Sequence, residues 1–125
     1  MRILLDTHVF LWFVDDSPRL SAQARTLITN AEKIFVSSAT IWEVAIKVRL
    51  GKLRADPDDL IDEMQKNGFE DLPVYARHAK EVAALPLHHS DPFDRLLVAQ
   101  AKVELLRLIT NDSHLAIYSD LVVLV

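Results

Sequence analysis

Short, wholly apolar runs alternate along this chain with longer stretches in which apolar residues recur roughly every three or four positions. Ile3-Leu4-Leu5, closed by Asp6, reads as a buried strand feeding a turn. His8 to Val14 is largely apolar and reads as helix. Leu20, Ala24, Leu27 and Ile28 then repeat at helical spacing behind a cap at Ser17 or Ser21. Ile34-Phe35-Val36 is β-branched and aromatic, which predicts a second strand. Ser37-Ser38 opens a helix to about Val48, with Ile41, Val44, Ala45 and Val48 as its core stripe and Gly51 at its end. Asp56-Pro57 pairs a cap with a first-turn proline, Asp58 and Asp59 suit the positive end of the helix dipole, and Gly68 closes that helix. Phe69 to Val74 is expected as a weak strand and Tyr75 to Leu85 as a further helix. Asp91-Pro92 repeats the cap-plus-proline pattern ahead of a helix to about Leu106. Leu108-Ile109-Thr110 predicts a strand with Asn111-Asp112 as its turn, and Leu121 to Val125 a last strand.

Apolar strands alternating with helices imply an α/β fold, with a parallel sheet covered on both faces. In such sheets the ligand crevice lies beyond the carboxyl ends of the strands. Asp6 follows the first strand directly, and Asp112 follows another by two residues. Glu43 lies in the early turns of the helix after the second strand, and Asp94 opens the long helix that leads to Asp112. If those strands are parallel neighbours, the acids meet at one sheet edge. Carboxylates crowded there raise one another's pKa, a penalty that a hard divalent cation removes; oxygen donors suit magnesium or manganese.

Each acid also has a purely structural role open to it. Asp6 fits a turn or the N-cap of the helix at His8. Thr40-x-x-Glu43 matches a capping box. Asp94 falls at the third helical position if Asp91 caps, where an acid serves the dipole. Asp112 fits the cap of a short Asp112–Ile117 segment. Capping alone does not require acids at corresponding places in successive β/α units, and that joint pattern favours a cation site.

Composition narrows the class. At 125 residues the chain suits one domain, residues 1–125, without a Gly/Ser- or Pro-rich linker. Half the residues are apolar and 26% charged, as in ordinary soluble proteins. No apolar run approaches the roughly 20 residues of a membrane span, so no membrane partner is expected. Asp6 comes too early for a signal-peptide apolar region, and a cytoplasmic location is the expectation. With no cysteine, disulfides, zinc-thiolate sites and a Cys nucleophile are excluded. The net charge of −4 runs against a nucleic-acid binder unless bound cations cancel several of the acids.

The residues carrying these acids resemble the PIN-domain nucleases, and within them the VapC-type toxins of bacterial toxin–antitoxin pairs. The resemblance runs through Leu4-Leu5-Asp6-Thr7-His8, Ser38-Ala39-Thr40-Ile41-Trp42-Glu43-Val44-Ala45-Ile46-Lys47 and Gly51-Lys52-Leu53. It continues through His89-Ser90-Asp91-Pro92-Phe93-Asp94-Arg95-Leu96-Leu97-Val98-Ala99-Gln100-Ala101 and closes on Thr110-Asn111-Asp112. Order and spacing agree over essentially the whole chain. The resemblance implies a PIN fold, a mostly parallel and roughly five-stranded sheet flanked by helices. It implies cleavage of RNA dependent on Mg²⁺ or Mn²⁺, with the family's acids on Asp6, Glu43, Asp94 and Asp112. It further implies a cognate antitoxin partner and a homodimer joined through helices. Asp94 is taken as the family acid and Asp91 as the cap, because Asp94-x-x-Leu97-x-Ala99-x-Ala101 fits the family's helix.

On this reading Asp6 and Asp94 ligate the metal, Glu43 ligates a metal or orients the attacking water, and Asp112 completes the shell or holds a second ion. Thr7 and Thr110 either hydrogen-bond ligands or phosphate, or form turns. Lys47, Arg49, Lys52 and Arg54 make a basic cluster where an RNA backbone could track, or a solvated helix end. Arg95 is expected to contact phosphate or pair with a carboxylate. His88 and His89 are read as loop residues, and His8, His78 and His114 as forming no constellation. Trp12 and Trp42 are read as core or interface anchors. A receiver domain would need an adjacent acid pair after the first strand, a mid-chain phosphoacceptor Asp and a late Lys; the chain has no Lys after Lys102. An aspartyl-phosphate phosphatase would need Asp-x-Asp where Asp6-Thr7-His8 stands. A catalytically idle PIN module would have lost acids, and all four are present.

Overall fold

Every apolar run predicted as a strand pairs into one sheet in the computed structural model, which describes all 125 residues, Met1–Val125. The strands are β1 (Arg2–Leu5), β2 (Lys33–Ser37), β3 (Glu70–Leu72), β4 (Arg107–Thr110) and β5 (Val122–Leu124). They lie in the order β3-β2-β1-β4-β5, and every neighbouring pair is parallel. Leu4 stands opposite Phe35 of β2 on one side and Leu108 of β4 on the other.

Side chains alternate across a strand, so the continuous apolar runs feed two cores. Ile3, Leu5, Val36 and Ile109 pack on one face with Val9 and Phe10 of α1 (Thr7–Val14), Ala24 and Ile28 of α2 (Ala22–Asn30), Val44 of α3 (Ser38–Arg49), and Leu60 and Met64 of α4 (Pro57–Lys66). Leu4, Phe35, Leu72 and Leu108 pack on the other face, under Leu97, Val98 and Ala101 of α6 (Pro92–Glu104). The short α5 (Ala76–Val82) and a 3-10 helix (Ser113–Tyr118) complete that layer. The architecture is α/β, as the residue pattern implies. No helix is long and apolar enough to cross a membrane.

The punctuation acts as its chemistry dictates. Asp56 and Asp91 cap α4 and α6 ahead of first-turn prolines. Ser21, of the two candidate serines, caps α2, its Oγ accepting from Ala24 N at 3.1 Å. Gly51 and Gly68 follow α3 and α4 with φ of +72° and +69°, the left-handed conformation that ends helices. Some elements are shorter than their sequence extents. β3 covers only Glu70–Leu72, because Pro73 has no N–H to give the ladder. α5 ends at Val82, well before Leu85. The last strand is Val122–Leu124, although Val125 N still donates to Thr110 O at 2.8 Å.

The connectivity locates a crevice. From β1 the chain builds outward through β2 to β3, then returns to place β4 and β5 on the other side of β1. That reversal is a topological switch point, and ligands of open α/β sheets sit beyond the strand ends there. Asp6 leaves β1, and Asn111-Asp112 leave β4, on either side of it.

Candidate functional site

Asp6 is 3% exposed at the tip of β1. Its Oδ1 accepts from Thr7 N at 2.7 Å and its Oδ2 from the Thr110 hydroxyl, also at 2.7 Å. The parallel register of β1 and β4 therefore aims one strand's last hydroxyl at the other strand's acid. Burial pushes the Asp6 carboxyl above its usual pKa; the Thr110 and Thr7 hydrogen bonds oppose that rise and the nearby Glu43 charge adds to it.

Glu43 is 4% exposed on α3. Its Oε1 accepts from the Thr7 hydroxyl at 2.9 Å, and its Oε2 is 2.8 Å from Lys47 Nζ, one helical turn further on. Ser37 caps α3, its Oγ accepting from Ala39 N. The cap thus lies three residues before Thr40, which is already inside the helix, and the Thr40–Glu43 pair is not a capping box. Glu43 instead lies on the helix face turned to β1, and Thr40 Oγ1 meets Thr7 Oγ1 at 3.1 Å.

Asp94 enters from the first turn of α6. Asp91 is the cap, its Oδ1 accepting from Phe93 N and Asp94 N, and this frees the Asp94 carboxylate. The Asp94 pKa is pushed up to about 6, by burial first and then by the charges of Asp6, Asp91 and Glu43, against a lowering hydrogen bond from His89. The charges of Asp6 and Glu43 both bear on Asp94, with Lys47 as the nearby cation on the α3 side. Lys47 lies 2.8 Å from Glu43, and its own pKa is raised by that bond and by the charges of Asp91 and Asp94.

Asp112 borders the pocket from the β4 side. Its N donates to Thr110 Oγ1 at 3.0 Å, so Thr110 links the two strand-end acids. Asp112 Oδ1 accepts from His114 N at 2.9 Å, capping the 3-10 helix, and lies 3.0 Å from His114 Nδ1. Burial alone would raise the Asp112 pKa, but the hydrogen bonds from His114 and the charges of His114 and His89 outweigh it and hold the carboxyl low.

Several expectations are corrected here. His89 lies in the loop before α6, as expected, but its Nε2 is 2.8 Å from Asp94 Oδ2 and 3.9 Å from Asp112 Oδ2. His114 joins it, the two rings stacking 6.1 Å apart and 6° from parallel. Arg95 is not free to meet phosphate. It is 9% exposed, and its guanidinium donates to the carbonyls of Pro86 at 2.8 Å, Val82 at 3.1 Å and Leu85 at 3.3 Å. One residue along a helix turns the side chain by about 100°, so Arg95 points behind the site while Asp94 points into it. Thr7 is likewise buried and gives its hydroxyl to Glu43, so it positions an acid and does not reach out to RNA. Arg49, the last residue of α3, and Lys52 and Arg54 beyond it are exposed. Trp12 is half-buried against the first core, whereas Trp42 is 61% exposed, edge-on to Phe93.

The donor set fits a hard divalent cation. Asp94 and Asp112 each offer a carboxylate oxygen that lies, with a ring nitrogen of His89, within 4.8 Å of the others, and Asp6 and Glu43 add almost wholly buried carboxylates linked through Thr7.

Residues 3–121 match the PIN domain family, and the chain belongs to it. The fold recurs in solved structures of low sequence identity. One is VapBC2 from Rickettsia felis bound to a DNA fragment from their promoter: 17% identity, TM-score 0.73, covering 100% of this chain and 98% of that one. FitAcB from Neisseria gonorrhoeae matches at 21% identity and TM-score 0.69, covering 98% and 96%. A toxin–antitoxin complex from Klebsiella pneumoniae matches at 19% identity and TM-score 0.67, covering 97% and 95%. No curated protein sequence matches the chain.

Proposed function

We propose that this protein is a metal-dependent endoribonuclease, hydrolysing phosphodiester bonds of RNA as the toxin of a type II toxin–antitoxin pair. The observation that carries the catalytic reading is that Asp6 and Glu43, both almost wholly buried, are joined through Thr7 at the carboxyl end of β1, and their charges add to the burial that raises the Asp94 pKa. Perturbed acids in a crevice at a switch point are the usual mark of a working site. Membership of the PIN family and the fold shared with structures of toxin–antitoxin complexes support the biological role.

Asp6 and Asp94 would hold Mg²⁺ or Mn²⁺, with Asp112 completing the shell. When bound, the ion supplies Lewis acidity toward the phosphate and a water of lowered pKa. The protein's part is orientation. Thr110 and the Thr7 amide fix both oxygens of Asp6, and Thr7 with Lys47 fixes both oxygens of Glu43. Glu43, so held, ligates or directs the attacking water. Lys47, Arg49, Lys52 and Arg54 offer the RNA backbone a basic track leading away from Glu43. An antitoxin would cover the site, and a second copy of the chain would pair through helices.

Incubation of the purified protein with single-stranded RNA tests the reading. Cleavage is expected with Mg²⁺ or Mn²⁺, none with EDTA, and a loss of at least about 10²-fold in Asp6→Asn, if each acid holds the Lewis acid. Cleavage in EDTA, or by Asp6→Asn at the native rate, overturns it.

A further inference from the structure

The acids explained above leave one feature unused: a histidine whose ring nitrogen sits among them. One ligand atom each of His89, Asp94 and Asp112 lies within 4.8 Å of the other two, with His89 Nε2 2.8 Å from Asp94 Oδ2 and 3.9 Å from Asp112 Oδ2. Ligand atoms sharing one six-coordinate ion at about 2.1 Å stand about 3 to 4.2 Å apart, so a small adjustment brings all three onto one centre. The closest pair, His89 Nε2 and Asp94 Oδ2 at 2.8 Å, shares a proton, which an entering cation would displace.

His89 is held in place. Arg95, on the buried side of α6, reaches back to Pro86 O and His89 O, and Tyr118 OH contacts His89 O at 3.4 Å. These bonds tie the loop before α6 down so that the imidazole faces Asp94. The stacked His114 ring closes the other side, while its Nδ1 meets the Asp112 oxygen that faces away from His89. Metal sites are commonly supported in this way, by neighbours that fix ring and carboxylate orientation.

We propose that His89 is a metal ligand, and that with Asp94 and Asp112 it forms a mixed nitrogen and oxygen site selecting Mn²⁺ over Mg²⁺. This rests on the proposed nuclease reading, in that Asp94 and Asp112 also border the all-oxygen pocket. The selection follows from ligand chemistry. Imidazole nitrogen binds first-row transition ions well, whereas Mg²⁺ keeps to oxygen and retains its waters. Arg95 is a positioning residue for this ligand.

The test is pulsed electron paramagnetic resonance of the full-length protein loaded with Mn²⁺ alone. Histidine bound through nitrogen gives a ¹⁴N modulation that changes when the protein is grown with ¹⁵N-histidine. We expect that modulation in the native protein and in His114→Gln, and its loss in His89→Gln. Calorimetry of His89→Gln should show Mn²⁺ affinity falling by at least about tenfold while Mg²⁺ affinity moves by less than about threefold. If Mn²⁺ binds the native protein, is lost in Asp94→Asn, and shows no nitrogen modulation, the histidine ligand is refuted and the carboxylate reading stands. If Mn²⁺ binds neither protein, both fall. The spectrum of the native protein decides the point even where a variant fails to fold.

Discussion

Replacing Asp94 by Asn should stabilise the metal-free protein, and by an amount that depends on pH. The carboxyl rises from 3.8 to about 6 on folding, first through burial and then through the charges of Asp6, Asp91 and Glu43. At about 1.4 kcal/mol per pKa unit, the fold disfavours the ionised form by about 3 kcal/mol. The side chain is 20% exposed, so solvent screens little of this. Because the folded pKa is raised, the folded state binds more protons between the two values. The favourable contribution is complete below pH 3.8 and is lost as pH rises through about 6. Asn carries no charge and can still accept a hydrogen bond from His89. Urea or thermal unfolding in EDTA should therefore show native and variant stabilities converging near pH 4. By pH 8 the variant should lead by about 3 kcal/mol, about 10 °C in Tm for a domain of this size. Mg²⁺ at about 100 times its Kd should return about 2.7 kcal/mol to the native protein and little to the variant. Equal or lower stability of the variant at pH 8 in EDTA would refute the reasoning.

Other perturbations follow from single contacts. Arg95→Met should cost about 2–4 kcal/mol in urea unfolding, since it strands the carbonyls of Val82, Leu85 and Pro86, and a cost below about 1 kcal/mol would deny the anchoring role. Thr110→Val removes a hydrogen bond that lowers the Asp6 pKa, so the acidic limb of a cleavage–pH profile should move to higher pH; an unmoved limb would show that Asp6 ionisation does not govern the rate. Leu105 ends α6 with φ of +55° and is 73% exposed, so Leu105→Gly should stabilise by about 1 kcal/mol in the same unfolding assay, and destabilisation would contradict that account.

The sheet was legible in the sequence because four of its five strands are built on apolar runs, β3 being the exception, and its helices are punctuated. Ile3-Leu4-Leu5 stops at Asp6, and Asp91-Pro92 starts α6, each by local chemistry alone. The acids were legible for the same reason, since their positions at strand ends and helix starts are set by those local signals. What escaped depends on contacts distant in sequence or on rotation about a helix. His89 and His114 flank α6 and β4, and only the parallel pairing of β4 with β1 brings Asp112 back beside the loop before α6. A histidine in a loop has no periodicity to betray it. Arg95 adjoins Asp94 in sequence yet points to the opposite side, toward carbonyls that no side-chain pattern encodes. Glu43 was ambiguous because Thr40-x-x-Glu43 mimics a capping box, although Ser37-Ser38 already marked the helix start, where Ser37 is the cap.

The central claim is that Asp6 and Asp94 share one divalent cation. Anomalous diffraction from crystals grown with Mn²⁺ tests it without recourse to activity. A peak is expected about 2.0–2.2 Å from a carboxylate oxygen of each residue, lost when Asp6 is replaced by Asn. Manganese bound only to surface acids such as Asp58 or Glu63, with nothing between β1 and α6, would contradict it.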